Sequence, residues 1–207
     1  MTLYDITRTI SPTLAVFPGD TPFSPRSLMS LQAGDPVNLL TLTLTAHCGT
    51  HADAVYHYSD TGIHPDQLPI ERYLGRARVI TVHRDQGPIL PSDLSVQQLD
   101  GVRRVLLHTR YSSLPDDQWD GEFPYPSPML IDWLSDQGVF LLGVDTPSVD
   151  HAQSRELPSH HQMLARDMLI LENLMLRDVP DGDYELIALP LKIAGVCGTP
   201  VRAVLRR

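Results

Sequence analysis

Cysteine is nearly absent from this chain: Cys48 and Cys197 lie far apart and neither belongs to a CxxC pair. Neither a disulfide framework nor a thiolate zinc site is therefore indicated. No apolar run approaches the roughly 20 residues needed to cross a bilayer. The first residues, Met1-Thr2-Leu3-Tyr4-Asp5-Ile6, lack the basic start and apolar stretch of a secretory signal. Basic residues are also scarce, 16 against 25 acidic ones, for a net charge of -9 with histidine neutral. That balance argues against general affinity for nucleic acid or an anionic membrane. Internal repeats and low-complexity segments are lacking, and the 18 prolines are spread as turn punctuation rather than gathered in a linker. What remains is a chain of 207 residues, ample for one apolar core. The expectation is a single domain over residues 1–207, cytoplasmic and enzymatic.

Against that plain background one window stands out. Between Ala46 and His57 the chain places three of its nine histidines beside an aspartate. His47, His51, Asp53 and His57 are all odd-numbered, so an extended backbone would set them on one face. Imidazole and carboxylate together suit zinc or a similar first-row divalent ion, whereas calcium and magnesium call for oxygen ligands. The bland alternative is a hydrogen-bonded histidine cluster in a polar loop. Cys48 alternates with the four residues and is expected to point away from them. His64 and His83 are expected to be structural or exposed.

The surrounding pattern predicts an α/β fold with a mixed sheet. An opening strand is expected over residues 3–11, followed by a proline-rich turn carrying Phe17 and Phe23, with Phe17 a candidate pocket wall. Leu40, Leu42 and Leu44 alternate with threonines, the signature of a half-buried strand running into His47. Short strands are expected over 77–82 and 104–109, and a helix over 95–102. Residues 111–126 read as a long irregular excursion whose Trp119, Phe123 and Tyr125 could line an entrance or bury themselves. Ser127 and Pro128 open a helix to residue 137. The apolar run 139–145 reads as a central strand ending in a polar loop, a common place for a site in α/β folds. A short helix over 159–164, capped by Ser159, leads to a strand over 168–171 that delivers Glu172. Closing strands are expected over 184–193 and 200–205.

The spacing His47-x-Gly-Thr-His51-x-Asp53-x3-His57, with Phe17-Pro-Gly-Asp-Thr-Pro-Phe23 upstream, resembles the metal-dependent cyclase and formamidase superfamily. Gly143-Val-Asp-Thr-Pro-Ser-Val-Asp150, the His160 to Glu172 step, Asp183-Tyr-Glu-Leu-Ile-Ala-Leu-Pro-Leu-Lys192 and Pro200-Val-Arg-Ala-Val-Leu-Arg206 narrow the likeness to the bacterial kynurenine formamidases. The resemblance covers essentially the whole chain. It implies a swivelling β/β/α cyclase-like fold, a homodimer, and two zinc ions per subunit, with manganese a possible substitute. It implies that His47, His51 and Asp53 ligate one ion, that His160 ligates the second, and that Asp53 and Glu172 are shared. It implies that His57 is catalytic, which separates it from the ligands, and that Phe17 contacts the substrate. The implied reaction is hydrolysis of N-formylkynurenine to kynurenine and formate, a step of tryptophan breakdown. Alternatives are a related amidohydrolase, such as one opening isatin, or a metal-binding protein without catalysis.

Three positions depart from the family pattern. Phe17 stands where tryptophan is usual and loses an indole N–H donor. Val55 replaces a proline beside His57, and His151 replaces another proline. His161 competes with its neighbour for the second-metal position, but the twelve-residue step to Glu172 favours His160.

Overall fold

The computed structural model describes residues 1–94 and 99–207. Its strands, in chain order, are β1 (Leu3–Asp5), β2 (Ser24–Met29), β3 (Leu39–Thr43), β4 (His51–Asp53), β5 (Leu74–Thr81), β6 (Gly87–Ile89) and β7 (Arg104–His108). They continue as β8 (Pro124–Pro126), β9 (Leu141–Val144), β10 (Leu169–Glu172), β11 (Gly182–Ile187), β12 (Gly198–Pro200) and β13 (Val204–Arg206). Two α-helices, α1 (Pro128–Asp136) and α2 (Pro158–Ala165), are present among the described residues. The helix expected over 95–102 falls in part on residues 95–98, outside those described.

Nine of these strands form one mixed sheet in the order β1-β13-β11-β5-β7-β9-β10-β4-β12. The middle four, β5, β7, β9 and β10, run parallel, and both flanks are antiparallel. The parallel strands are apolar at successive positions because both of their faces are covered. Leu106, Leu141 and Leu171 belong to one core, and their neighbours Leu107, Leu142 and Ile170 to the other. Leu130, Ile131 and Leu134 of α1 fill the second core. Ser127 caps α1, its hydroxyl accepting from the Leu130 amide, as the sequence predicts.

Several expectations are corrected. The opening strand is only three residues long, with an isolated bridge from Thr7 to Leu174. The strand expected over 184–193 ends at Ile187. The last expected strand divides: β12 pairs with β4 at one edge, and β13 lies between β1 and β11. Ser159 does not cap α2. The cap position is Leu157, in a left-handed conformation at φ 45°, and Ser159 lies within the helix. Most consequential is β3, which pairs only with β2 among the described strands. Leu40 and Leu42 are 50% and 59% exposed, so this strand is not half-buried within the chain. The alternation is real, but no element of the described chain covers the leucine side.

Candidate metal centre

The parallel-to-antiparallel junction at β10 and β4 builds the site. Glu172, the last residue of β10, is the direct cross-strand partner of His51 on β4. Because strand side chains alternate, Ala52 and Leu171 enter the core on one face while His51, Asp53 and Glu172 emerge on the other. That is the face carrying the helices, and α2 lays His160 over the same spot. The shared face expected for four odd-numbered residues thus holds for His51 and Asp53 only. β3 stops at Thr43, His47 sits in a turn, and His57 closes a 3-10 turn over Val55–His57. That turn forms with Val55 in the place of a proline, held by the His57 amide donating to the Ala54 carbonyl at 2.9 Å.

Two glycines make the convergence sterically possible. Gly49 has φ +68°, the left-handed conformation that a side chain disfavours, and turns the chain between His47 and His51. Gly198 lies beneath His47, where an added Cβ would stand 2.7 Å from Cε1 of that ring. The bare backbone of β12 therefore lets the His47 imidazole settle against the sheet.

The resulting cluster is tight. His47 Nδ1 lies 2.9 Å from Asp53 Oδ1, and His51 Nε2 lies 3.3 Å from the same oxygen and 3.2 Å from Glu172 Oε2. His160 Nε2 lies 3.3 Å from Asp53 Oδ2 and 3.8 Å from Glu172 Oε1. All but His47 and His57 are buried. Outer groups orient the rings. His51 Nδ1 donates to the Gly49 carbonyl at 2.9 Å, and His160 Nδ1 donates to Asp150 Oδ2 at 2.7 Å. An imidazole that donates through Nδ1 presents the Nε2 lone pair on its far side, the arrangement characteristic of metal-ligating histidines. Asp150 also accepts the Ser159 and His160 amides at 2.9 and 3.0 Å, filling the capping role that Ser159 does not. Glu172 Oε1 accepts the Val149 amide at 2.8 Å.

His51 Nε2, both carboxylate oxygens of Asp53 and His160 Nε2 are buried and have no hydrogen-bond partner in proper geometry, although they face one another. Buried polar atoms are costly when unsatisfied. Burial pulls the imidazoles down, but the adjoining carboxylates win: His47 is raised to about 11, His51 to about 9 and His160 to about 10. Asp53, buried but surrounded by His47, His160 and His51, is held well below the ordinary carboxylate value. Protons are thus balancing the charge of buried acids. A divalent cation would do the same while satisfying the orphaned donor atoms, so this set of residues fits a metal.

His57 differs from these. Its ring is exposed to the cavity and lies 4.0 Å from that of His47, centroid to centroid. Desolvation by its surroundings lowers its pKa, with Asp53 opposing and His47 assisting. The imidazole is therefore neutral at neutral pH and free to accept a proton. It opens on a cavity of about 250 Å³ whose wall includes Phe17, Trp119, His47, His160 and Glu172. Phe17 and Trp119 meet edge to face, with ring centres 5.1 Å apart.

The remaining candidates separate. His161 is exposed on α2 and is not part of the cavity wall. His151 accepts the Gln153 amide and packs near Tyr125, outside the cavity wall. His64 donates to the Val196 carbonyl, a structural contact. Phe123 is buried, whereas Trp119 lines the cavity. Cys48 is buried and takes no part in the metal-like groupings. Cys197 was not a sequence candidate, yet its Sγ is 3.2 Å from His47 Nε2. Asp150 was visible only as part of a motif. Its role becomes apparent once α2 starts against it.

Comparison with known proteins follows the same line. The cyclase family matches residues 4–151. A kynurenine formamidase of Bordetella petrii is 45% identical over 206 residues, covering 99% of this chain and 97% of that protein. A predicted metal-dependent hydrolase from Bacillus stearothermophilus superposes with a TM-score of 0.82 at 25% identity, covering 99% of this chain and 97% of that one. Isatin hydrolase A from Ralstonia solanacearum does so with a TM-score of 0.82 at 25% identity, over 99% and 91% of the two chains.

Proposed function

The chain belongs to the cyclase family, and within it we propose that this protein is a kynurenine formamidase, hydrolysing N-formyl-L-kynurenine to L-kynurenine and formate. The observation that carries the reading is the near full-length, 45% identical relative of that name, joined to a cluster whose orphaned donor atoms call for a cation. In this reading His47, His51 and Asp53 hold one zinc ion, His160 holds a second, and Asp53 and Glu172 are shared between them. Manganese suits the same carboxylate-rich set. Bound there, the metal supplies Lewis acidity, acidifying water and polarising a carbonyl oxygen.

The chain's own residues do the rest. Asp150 and the Gly49 carbonyl fix the ring orientations of His160 and His51. Phe17 and Trp119 form an aromatic wall on which the anilide ring can pack, worth about 0.5–1.5 kcal/mol beyond burial. His57 is neutral and faces the cavity. It can take the proton released when water attacks the formyl carbon and return it to the departing aryl nitrogen, since an amine leaves far more readily once protonated.

The unit acting is one domain over residues 1–207 in a homodimer. The β2–β3 hairpin supports the second statement: Leu28, Leu31, Leu39, Leu40 and Leu42 are each about half exposed, and clustered exposed apolar side chains suit contact with a second copy. No helix among the described residues is long and apolar enough to cross a membrane.

The test is formate release from N-formyl-L-kynurenine by purified protein, before and after chelation and again after zinc repletion. Activity lost and regained supports the reading, and none at full metal loading overturns it. Isatin belongs in the same assay because a structural neighbour at 25% identity hydrolyses it by name. Faster turnover of isatin would favour that second reading.

A further inference from the structure

The cavity wall contains one more arrangement that the metal chemistry does not use. Arg8 is only 5% exposed, yet it lines the cavity, and among the described lining residues it is the sole lysine or arginine. The acids lining the same space are Asp20, Asp116 and Glu172. Arg8 Nη1 donates to Asp116 Oδ1 at 2.6 Å, Nη2 reaches the Asp145 carbonyl at 3.4 Å, and the guanidinium lies over the Tyr111 ring at 5.7 Å. Its Nε is buried with no hydrogen-bond partner. A guanidinium has five N–H donors in a fixed fork, so this one keeps donors in hand.

The placement is set by the metal centre itself. The Arg8 amide donates to Thr50 Oγ1 at 2.9 Å, and that hydroxyl donates to the Asn173 carbonyl at 2.6 Å. Thr50 and Asn173 are the immediate neighbours of His51 and Glu172. The Arg8–Asp116 pair is thus tied to the two strands that supply the cluster, on the side where the cavity opens. Phe17 and Trp119 share the same cavity wall.

We infer that Arg8 and Asp116 form a specificity subsite for the amino-acid head group of the substrate, Arg8 taking the α-carboxylate and Asp116 the α-ammonium. The inference rests on the formamidase reading. The argument is one of charge. A zwitterion carrying its carboxylate past Asp20 and Asp116 needs a positive charge outside the metal cluster, and Arg8 is the lining residue that supplies it. A guanidinium beside a carboxylate is also complementary to an ammonium beside a carboxylate, because each charge of the ligand meets its opposite. An uncharged ring amide such as isatin gains nothing from the pair.

The test compares N-formyl-L-kynurenine with N-formyl-2-aminoacetophenone, which keeps the aryl formamide and lacks the charged head. In the metal-loaded wild-type enzyme, kcat should be similar for the two, and KM for the headless compound should be about 10- to 100-fold higher, the range expected for lost hydrogen bonds to charged groups. Arg8→Gln should raise KM for N-formyl-L-kynurenine by a similar factor and leave kcat/KM for the headless compound nearly unchanged. Asp116→Asn should act in the same direction. The wild-type comparison needs no variant to fold. Equal KM values in the wild type would overturn the subsite, as would an Arg8→Gln enzyme impaired equally on both compounds, which would make Arg8 a support for the chain around Asp116. If the wild type cleaves neither compound, the formamidase reading falls and takes the subsite with it. If it cleaves both alike, only the subsite falls.

Discussion

Asp150→Asn is the most informative single substitution outside the candidate ligands, because it changes one atom and leaves the shape of the site. The wild-type carboxylate accepts three hydrogen bonds: Ser159 N–H on Oδ1 at 2.9 Å, and His160 N–H and Nδ1–H on Oδ2 at 3.0 and 2.7 Å. Asparagine has one acceptor oxygen and one donor group. With its oxygen toward His160, the amide nitrogen faces the Ser159 N–H and the helix cap is lost, at about 1 kcal/mol. With its nitrogen toward His160, Nδ1 must become the acceptor. The ring proton then moves to Nε2, the atom that should meet the metal. Both outcomes also remove the negative charge that makes the imidazole a better ligand. Loss of such an outer partner typically costs about 10- to 100-fold in metal affinity, or about 1.4–2.8 kcal/mol at 1.4 kcal/mol per tenfold. The measurement is a competition titration with a chromophoric chelator, with circular dichroism to verify that α2 persists and His161→Ala as a control expected to have no effect. An Asp150→Asn protein that binds metal with wild-type affinity would refute the assignment of His160 Nε2 as a ligand.

Other substitutions separate the remaining roles. His57→Ala should retain its metal and lose about 10²–10⁴ in kcat, the usual worth of a positioned proton-transfer group; parallel loss of metal and activity, read by elemental analysis beside the assay, would make His57 a ligand instead. Gly198→Ala places a methyl 2.7 Å from His47 Cε1 and 3.1 Å from the Ala52 carbonyl, so it should cost about 1–3 kcal/mol in stability and weaken metal binding by displacing His47, which thermal melts with and without metal would show. The metal-free protein should be more stable at pH 6 than at pH 9. His47, His51 and His160 are raised from 6.5 to about 11, 9 and 10, so their stabilising share is complete below 6.5 and is lost as pH rises through those values. Protons compete with the cation over the same interval, so metal affinity should rise with pH and loading should release protons, measurable with an indicator dye in weak buffer. A pH-independent affinity would contradict the buried charge balance.

What could be read directly from the chain, and what could not, follows from the range of each interaction. The 139–145 run announces a strand covered on both faces, and β9 is one. Ser127 and Pro128 announce the start of α1, because capping is settled within four residues. His51 and Asp53 share a face because two residues of extended backbone decide it. His47 and His57 reach the same place by turns, and neither periodicity nor parity encodes where a turn aims a side chain. The pairing of His51 with Glu172 spans 121 positions and depends on β4 joining the sheet antiparallel to β10. The contact of His47 with Cys197 spans 150 positions and depends on β12 arriving at the edge with a glycine. The leucines of β3 show the opposite failure: their pattern promises a buried face, and within one chain nothing provides it. A second copy of the chain would reconcile the pattern with the exposure, since alternation records burial in whatever assembly the sequence forms.

The location of the cluster follows from the sheet itself. β9 and β10 run parallel, and each delivers an acid at or just past its end, Asp145 and Glu172. Asp145 is consumed internally: its carboxylate accepts from Thr109 and Ser112, and it has no opening to the cavity. Glu172 differs because β10 has a short antiparallel neighbour on its outer side, and that neighbour brings His51 directly opposite. A fifth parallel strand, reached by a crossover helix, would have covered this edge with that helix. β4 instead leaves it to α2, whose first turn is held by Asp150 and presents His160. The change from parallel to antiparallel pairing therefore creates the gap that the candidate metal ligands line, and the same junction seats Arg8 through Thr50 and Asn173. The metal chemistry and the proposed charge recognition then depend on a single feature of topology. Breaking the Thr50 link by Thr50→Val should accordingly disturb both at once, raising KM for N-formyl-L-kynurenine and loosening the metal together. A change in one without the other would show that the two are built independently.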